Sequence, residues 1–229
     1  MPVRREASPS VRLIKPSRLW SRLLATCVYA IAMAFVEAAA VVYLRAIGKP
    51  LPSGSLIMPL PQLTRIESVR EIATLVMLGS VAYLAAGRGW ARSFWFFCLA
   101  FGVWDVFYYV FLYATIHWPP SLLTWDVLFL VPVAWTAPVL APVLISCLLI
   151  VSAVLFLAQG EGGESATIRA ASAVGGVCSA LIVLASFMAD PGIATEPAHL
   201  SYAWPLFAAG MLLAVVSLAA SLVPALRGQ

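Results

Sequence analysis

Charge is what this chain has least of. Only 10% of its 229 residues are Asp, Glu, Lys or Arg, against roughly 25% in a soluble globular domain. The hydrophobic fraction is 62% and the mean hydropathy +0.97. One water-soluble core of this size cannot hide so much apolar surface. A bilayer accepts it, and six spans of roughly 20 residues would take up about half of the chain. Histidine is scarce too: the two residues, His117 and His199, exclude a three-histidine zinc site, and both fall at the edges of apolar runs, which argues against haem. The four cysteines, Cys27, Cys98, Cys147 and Cys178, lie in four separate apolar runs with no C-x-x-C pair. That pattern speaks against a disulfide framework or a cysteine zinc site and for small packing residues. There is no nucleophile elbow, phosphate-binding loop, H-E-x-x-H or dinucleotide-binding glycine pattern, so no motif names a cofactor.

What is there reads as membrane helices. Residues 1–22 form a basic, proline-punctuated tail with Arg4, Arg5, Arg12, Lys15, Arg18 and Arg22. Spans are predicted near 23–44, 66–86, 93–115, 139–158, 168–188 and 201–223, followed by a short end at 224–229. The first span competes with a cleaved signal peptide, since Ala38 and Ala40 form a small-residue pattern. Its long basic region and an apolar run that continues to Leu44 favour a retained span. Pro50, Pro52, Pro59 and Pro61 exclude a regular helix between the first two spans. Residues 121–138 are apolar but cut by Pro132 and Pro138. They are too short for a clean crossing and predict a short re-entrant or interfacial helix. The expected fold class is therefore all-α: a polytopic transmembrane helix bundle of about six spans plus that short helix, with 23–223 as one transmembrane domain.

The formal net charge of +4 points to membrane orientation rather than nucleic acid, because the basic residues flank apolar runs. With the amino terminus inside, the inner regions hold the six tail residues plus Arg88, Arg92, Arg169 and Arg227. The outer regions hold Arg45, Lys49, Arg65 and Arg70. Ten against four predicts both termini in the cytoplasm.

The chemically informative residues are those that are expensive in lipid. Glu37 lies roughly 10 Å from the outer end of the first span, at 1.5 Å per residue. Glu67 and Glu71 share a helix face that continues to Thr74, with Arg70 beside them to compensate a carboxylate. Asp105 stands near the middle of the third span, with Tyr108 and Tyr109 three and four positions on. His117 ends that span and Asp126 follows it beside Trp125. For each, a structural hydrogen bond or ion pair competes with a role in binding a proton, a cation or a polar solute. Asp105 is the expected centre, with Glu37, Glu71 and Tyr109 as its neighbours. In the fifth span, Ala171, Gly175 and Ser179 recur at four-residue spacing, a face suited to close packing within the bundle or to a homo-oligomer.

The stretch from WDVFYY through HWPPSLLTWDVLFLVPVAWTAPVLAP, roughly residues 100–142, together with REIAT at 70–74, resembles uncharacterised small multi-pass bacterial membrane proteins. The resemblance implies a bacterial cytoplasmic membrane location and carries no activity with it. Three functions are compatible with the residues. One is binding or movement of a proton, cation or small polar solute through an outward-facing cavity. The others are a structural or assembly subunit of a larger membrane complex, and an enzyme acting on a lipid or lipid-linked substrate. A coupled transporter commonly has a repeat and more spans, and no repeat is visible here.

Overall fold

The computed structural model describes residues 16–47, 61–87, 89–131, 133–159, 170–189 and 202–227. Six helices carry the chain: α1 Pro16–Ile47, α2 Pro61–Ala86, α3 Trp90–Ile116, α4 Leu140–Ala158, α5 Ala170–Met188 and α6 Trp204–Arg227. Between α3 and α4 stand two short strands, β1 Trp125–Phe129 and β2 Trp135–Pro138. Among the described residues five helices are long and apolar enough to cross a membrane. The apolar stretch of α5, Ser172–Met188, is shorter. This is a polytopic helix bundle. The expected tail up to residue 15, the proline-rich loop at 48–60, and most of the polar connections before α5 and α6, His199 included, lie outside the described residues.

The long aromatic helix α3 is the axis of the bundle and packs against α1, α2 and α4. Small residues let the backbones come close. Ala30 and Ala34 of α1 and Ala100 of α3 are fully buried in the core, beside Leu78, Phe96 and Leu99. The α3–α4 crossing is closest at Gly102, where a Cβ would stand 2.7 Å from the Ser146 carbonyl oxygen and 2.9 Å from Ile150 Cγ1. Trp95 stacks on Phe156 at 4.2 Å nearer the other end of the same pair. Helix α5 packs mainly on α6. There the Ser179 hydroxyl donates to the Gly210 carbonyl at 2.8 Å, and Gly175 faces the Ser217 hydroxyl. The Gly175–Ser179 face of α5 is thus filled by α6 of the same chain, while Gly176 and Ala180 remain exposed.

Residues 121–138 do not form the short helix expected of them; this corrects the sequence reading. They make an antiparallel hairpin, with Asp126 opposite Ala137, Val127 opposite Thr136 and Phe129 opposite Trp135. The reason is local. Proline at 132 and 138 removes backbone donors and blocks continuous helical bonding, and Trp125, Val127, Phe129, Trp135 and Thr136 are aromatic or β-branched residues that suit a pleated surface. Backbone bonds from Val139 to Thr124 (2.9 Å) and from Leu140 to Leu122 (2.8 Å) continue the pairing at its base.

The hairpin runs back alongside α3. Asp126 meets Tyr109, and Phe129 stacks against Phe101 at 6.3 Å. Eight residues of α-helix separate those two contacts, a descent of about 12 Å. Non-helical backbone at such depth is tolerable only where protein or a polar cavity satisfies it. Both conditions are met. The strands pair with each other, and the Leu130 N–H at the tip donates to Glu71 at 2.9 Å. On its other side the hairpin joins a second cluster built from Ala137, Ala141, Val183, Phe187, Tyr202 and Phe207. The Tyr202 hydroxyl there shares a hydrogen bond with Ser186 Oγ at 2.9 Å.

Candidate functional site: a carboxylate cavity beneath the hairpin

The site begins as one face of α2. Glu67, Arg70, Glu71 and Thr74 follow at spacings of three, one and three, so they project from one side of the helix. That side looks toward Glu37 of α1, which is 2% exposed, and toward the α3 segment from Trp104 to Tyr109. The first strand of the hairpin closes the remaining side. Together these elements enclose a cavity of about 60 Å³. Its polar walls are Glu37, Arg70, Glu71, Thr74, Trp104, Asp105, Tyr108, Tyr109 and Asp126, with the stretch Val127–Phe129 alongside.

Each carboxyl group has an identifiable partner. Arg70 reaches in two directions: it forms an ion pair with Glu37 Oε2, and its Nε and Nη2 donate to Glu67 Oε2 at 2.9 and 2.6 Å. The Thr74 hydroxyl donates to Glu37 Oε1. Glu71 holds the hairpin tip through the Leu130 amide. Asp105, 8% exposed at mid-helix, accepts from Ser146 Oγ of α4 at 2.8 Å. Asp126 accepts from the Tyr109 hydroxyl at 3.0 Å. The Tyr109 ring in turn lies 6.3 Å from Trp118, over which the Arg45 guanidinium sits at 4.5 Å.

Five carboxyls therefore belong to the cluster, and Arg70 pairs with two of them, Glu37 and Glu67. Four of the five line the cavity, and Glu67 is linked to it through Arg70. Among the described residues the buried indole N–H of Trp104, a residue only 8% exposed, has no hydrogen-bond partner. An indole nitrogen can donate but not accept.

Of the residues singled out from the sequence, Glu37, Arg70, Glu71, Asp105, Tyr108, Tyr109 and Asp126 come together on this cavity. His117 does not. It caps α3 in the left-handed conformation, with φ 54°, and its exposed ring lies against Tyr113 at 5.9 Å. Sequence reasoning also missed two participants. Ser146 is one of only two serines in the apolar α4, a signal that was available but easily taken for packing. Trp104, next to Asp105 in the sequence, is one of many aromatic residues in α3 and carries no signal of its own there. Among the described residues no three His, Cys, Asp or Glu side chains lie close enough together to hold a metal ion, and Cys27, Cys98, Cys147 and Cys178 are free thiols. Comparison with protein-family models, with curated proteins and with solved structures finds no match for the chain.

Proposed function

We propose that this membrane protein exchanges protons, carried in with a few waters, at the carboxylate cavity beneath its hairpin. The observation that carries this reading is the convergence of Glu37, Glu71, Asp105 and Asp126, from four different elements, on one volume of about 60 Å³. Arg70 offsets part of their charge and leaves a surplus that favours a cationic occupant. A volume of that size holds on the order of four waters, at about 10–15 Å³ each, and leaves no space for a lipid headgroup. The chemistry of the wall narrows the occupant further. The Trp104 N–H calls for an acceptor, whereas the carboxylates call for donors. Water does both. Buried carboxyls that can be neutral or charged are the usual means of passing protons through a membrane interior.

Orientation belongs to the same proposal. With both termini in the cytoplasm, as the distribution of basic residues favours, the cavity lies in the outward half of the bundle and takes its protons from that side.

The test uses the purified full chain in liposomes loaded with a pH-sensitive dye, with a potassium diffusion potential set by valinomycin. The lumen should acidify faster than in protein-free liposomes. Asp105→Asn keeps the side chain's size and its acceptor for Ser146 but cannot take part in proton exchange. It should lose the flux while melting like the parent. Parental flux no greater than that of empty liposomes, or undiminished flux in the Asn protein, sinks the reading.

A further inference from the structure

At the opposite end of the bundle α1 and α2 stand side by side, linked by Arg22 and the Ala86 carbonyl. Both helices pack more extensively on α3 than on each other, and a groove of about 220 Å³ lies between them. Its walls are Ala25 and Thr26 of α1 and Val81, Leu84 and Ala85 of α2, and Arg22 stands at its head. The one hydroxyl in the wall is turned to its own helix, since Thr26 Oγ1 donates to the Arg22 carbonyl at 2.9 Å. The groove is therefore apolar below and cationic above. It opens on the lipid-facing surface, where Leu84 is 75% exposed.

Two further observations fix the kind of occupant. The first is charge. Arg18 lies one turn before Arg22 on α1, and Arg92 lies near the start of α3. No Asp or Glu occurs in α1 before Glu37, in α2 after Glu71, or in α3 before Asp105. This end of the three helices is uniformly basic. Among the described residues Arg22 donates one N–H to the Ala86 carbonyl, at 3.4 Å, out of the five that a guanidinium carries. The second is depth. Trp20 and Trp90, both strongly exposed, stand at this same end, and exposed tryptophans mark the headgroup level of a bilayer. Arg22 is thus at the height of lipid phosphates, with an apolar channel running from it toward the bilayer interior.

We infer that the α1–α2 groove is a binding site for an anionic phospholipid, with the phosphate at Arg22 and an acyl chain between Ala25 and Leu84. The site is independent of the cavity under the hairpin and of any proton exchange there. Bound lipid would fill the gap that α1 and α2 leave, and so hold the basic end of the bundle together.

Native mass spectrometry of the full chain in detergent, with equimolar phosphatidylglycerol and phosphatidylcholine added, tests this. The parent should retain phosphatidylglycerol about fivefold over phosphatidylcholine, the preference expected from one arginine at the membrane surface. Arg22→Gln should erase that preference. Because Arg22 also caps α2, a second variant guards the result: Ala25→Trp keeps every charge but fills the groove, and should lower retention of both lipids. Equal retention of the two lipids by the parent overturns the site. So does parental retention in the Ala25→Trp protein, and so does displacement of the bound species by millimolar inorganic phosphate, which would assign Arg22 to soluble anions.

Discussion

The hydroxyl of Ser146 donates to the carboxylate of Asp105 across the close crossing of α3 and α4, at 2.8 Å. The two residues belong to α4 and α3, and the crossing is tight because Gly102, one turn before Asp105, lies against the Ser146 backbone. One contact thus serves both packing and the polar site. Ser146→Ala should leave the buried carboxyl short of a donor and lower stability by about 1–3 kcal/mol. Ser146→Thr keeps the hydroxyl and should recover most of the loss if the added methyl fits. Melting of the purified variants measures both, and a Ser146→Ala protein that melts with the parent would show that the bond carries no weight.

Gly102 provides a steric test of the same crossing. A methyl group there meets the Ser146 carbonyl oxygen at 2.7 Å, a distance real Cβ atoms avoid. Gly102→Ala should therefore push α3 and α4 apart, at a cost of about 1–3 kcal/mol. Gly79 of α2 is the control, because a Cβ there meets nothing within 4 Å. Gly79→Ala should be neutral or stabilising by up to ~1 kcal/mol, the helix-propensity difference. Similar melting shifts for the two substitutions would contradict the packing described.

The hairpin makes a sharper demand on Glu71. Its carboxylate is the acceptor for the Leu130 amide at the tip. Glu71→Gln keeps an oxygen in place, whereas Glu71→Ala leaves the amide without one in a low-dielectric setting. Amide exchange at the tip should be roughly tenfold faster in the Ala protein than in the parent, in line with the loss of one buried bond, and close to parental in the Gln protein. Equal exchange in all three proteins would mean that the tip is held by its aromatic contacts alone, Phe129 with Phe101 and Trp135.

The helices were legible in the sequence because each is a long apolar run closed by proline, glycine or charge, as α3 is by Gly89 before Trp90 and by Pro119 and Pro120 beyond Ile116. The hairpin was not, because a ten-residue apolar run before Pro132 has no periodicity that separates a strand from a short buried helix. The site was legible in part for the same kind of reason. The cost of Asp105 or Glu37 in lipid is a property of one residue in one helix, and the sequence displays it. Which neighbouring helix answers that cost is a property of the packing. Hence Arg70 could be placed beside Glu67 and Glu71 by spacing, but its ion pair with Glu37, 33 positions earlier in the chain, could not. His117 was placed at the right end of α3, yet spacing alone could not show that its ring would turn to Tyr113.

Orientation is open to direct measurement. The division of basic residues predicts that reporter fusions after Ala86, Gln159 and Gln229 all report the cytoplasm. The hairpin supports the parity of this count, because it leaves and returns on the side where α3 ends and α4 begins. A periplasmic signal after Gln229 together with a cytoplasmic one after Gln159 would mean that only one of α5 and α6 crosses. The short apolar stretch of α5, Ser172–Met188, makes it the helix to examine first.

The last prediction concerns Arg70, which bridges Glu37 and Glu67 from α2 to α1. Breaking a buried ion pair from one side is far more damaging than removing both partners, because the remaining charge has lost its compensation. Arg70→Met should therefore cost about 3–5 kcal/mol, seen as a large fall in melting temperature or loss of the folded protein from the membrane. Glu37→Gln in the same chain removes the stranded charge, and Gln retains an acceptor for the Thr74 hydroxyl. The double variant should regain a substantial part of the lost stability. Glu67 lies nearer the start of α2 and is the less buried of the two side chains, so Glu67→Gln paired with Arg70→Met should rescue less. This order of rescue separates a true buried pair from a surface ion pair, for which all three effects would fall within about 1 kcal/mol. A double Arg70→Met, Glu37→Gln protein no more stable than Arg70→Met alone would mean that Arg70 serves the packing of its stem and not the charge of Glu37.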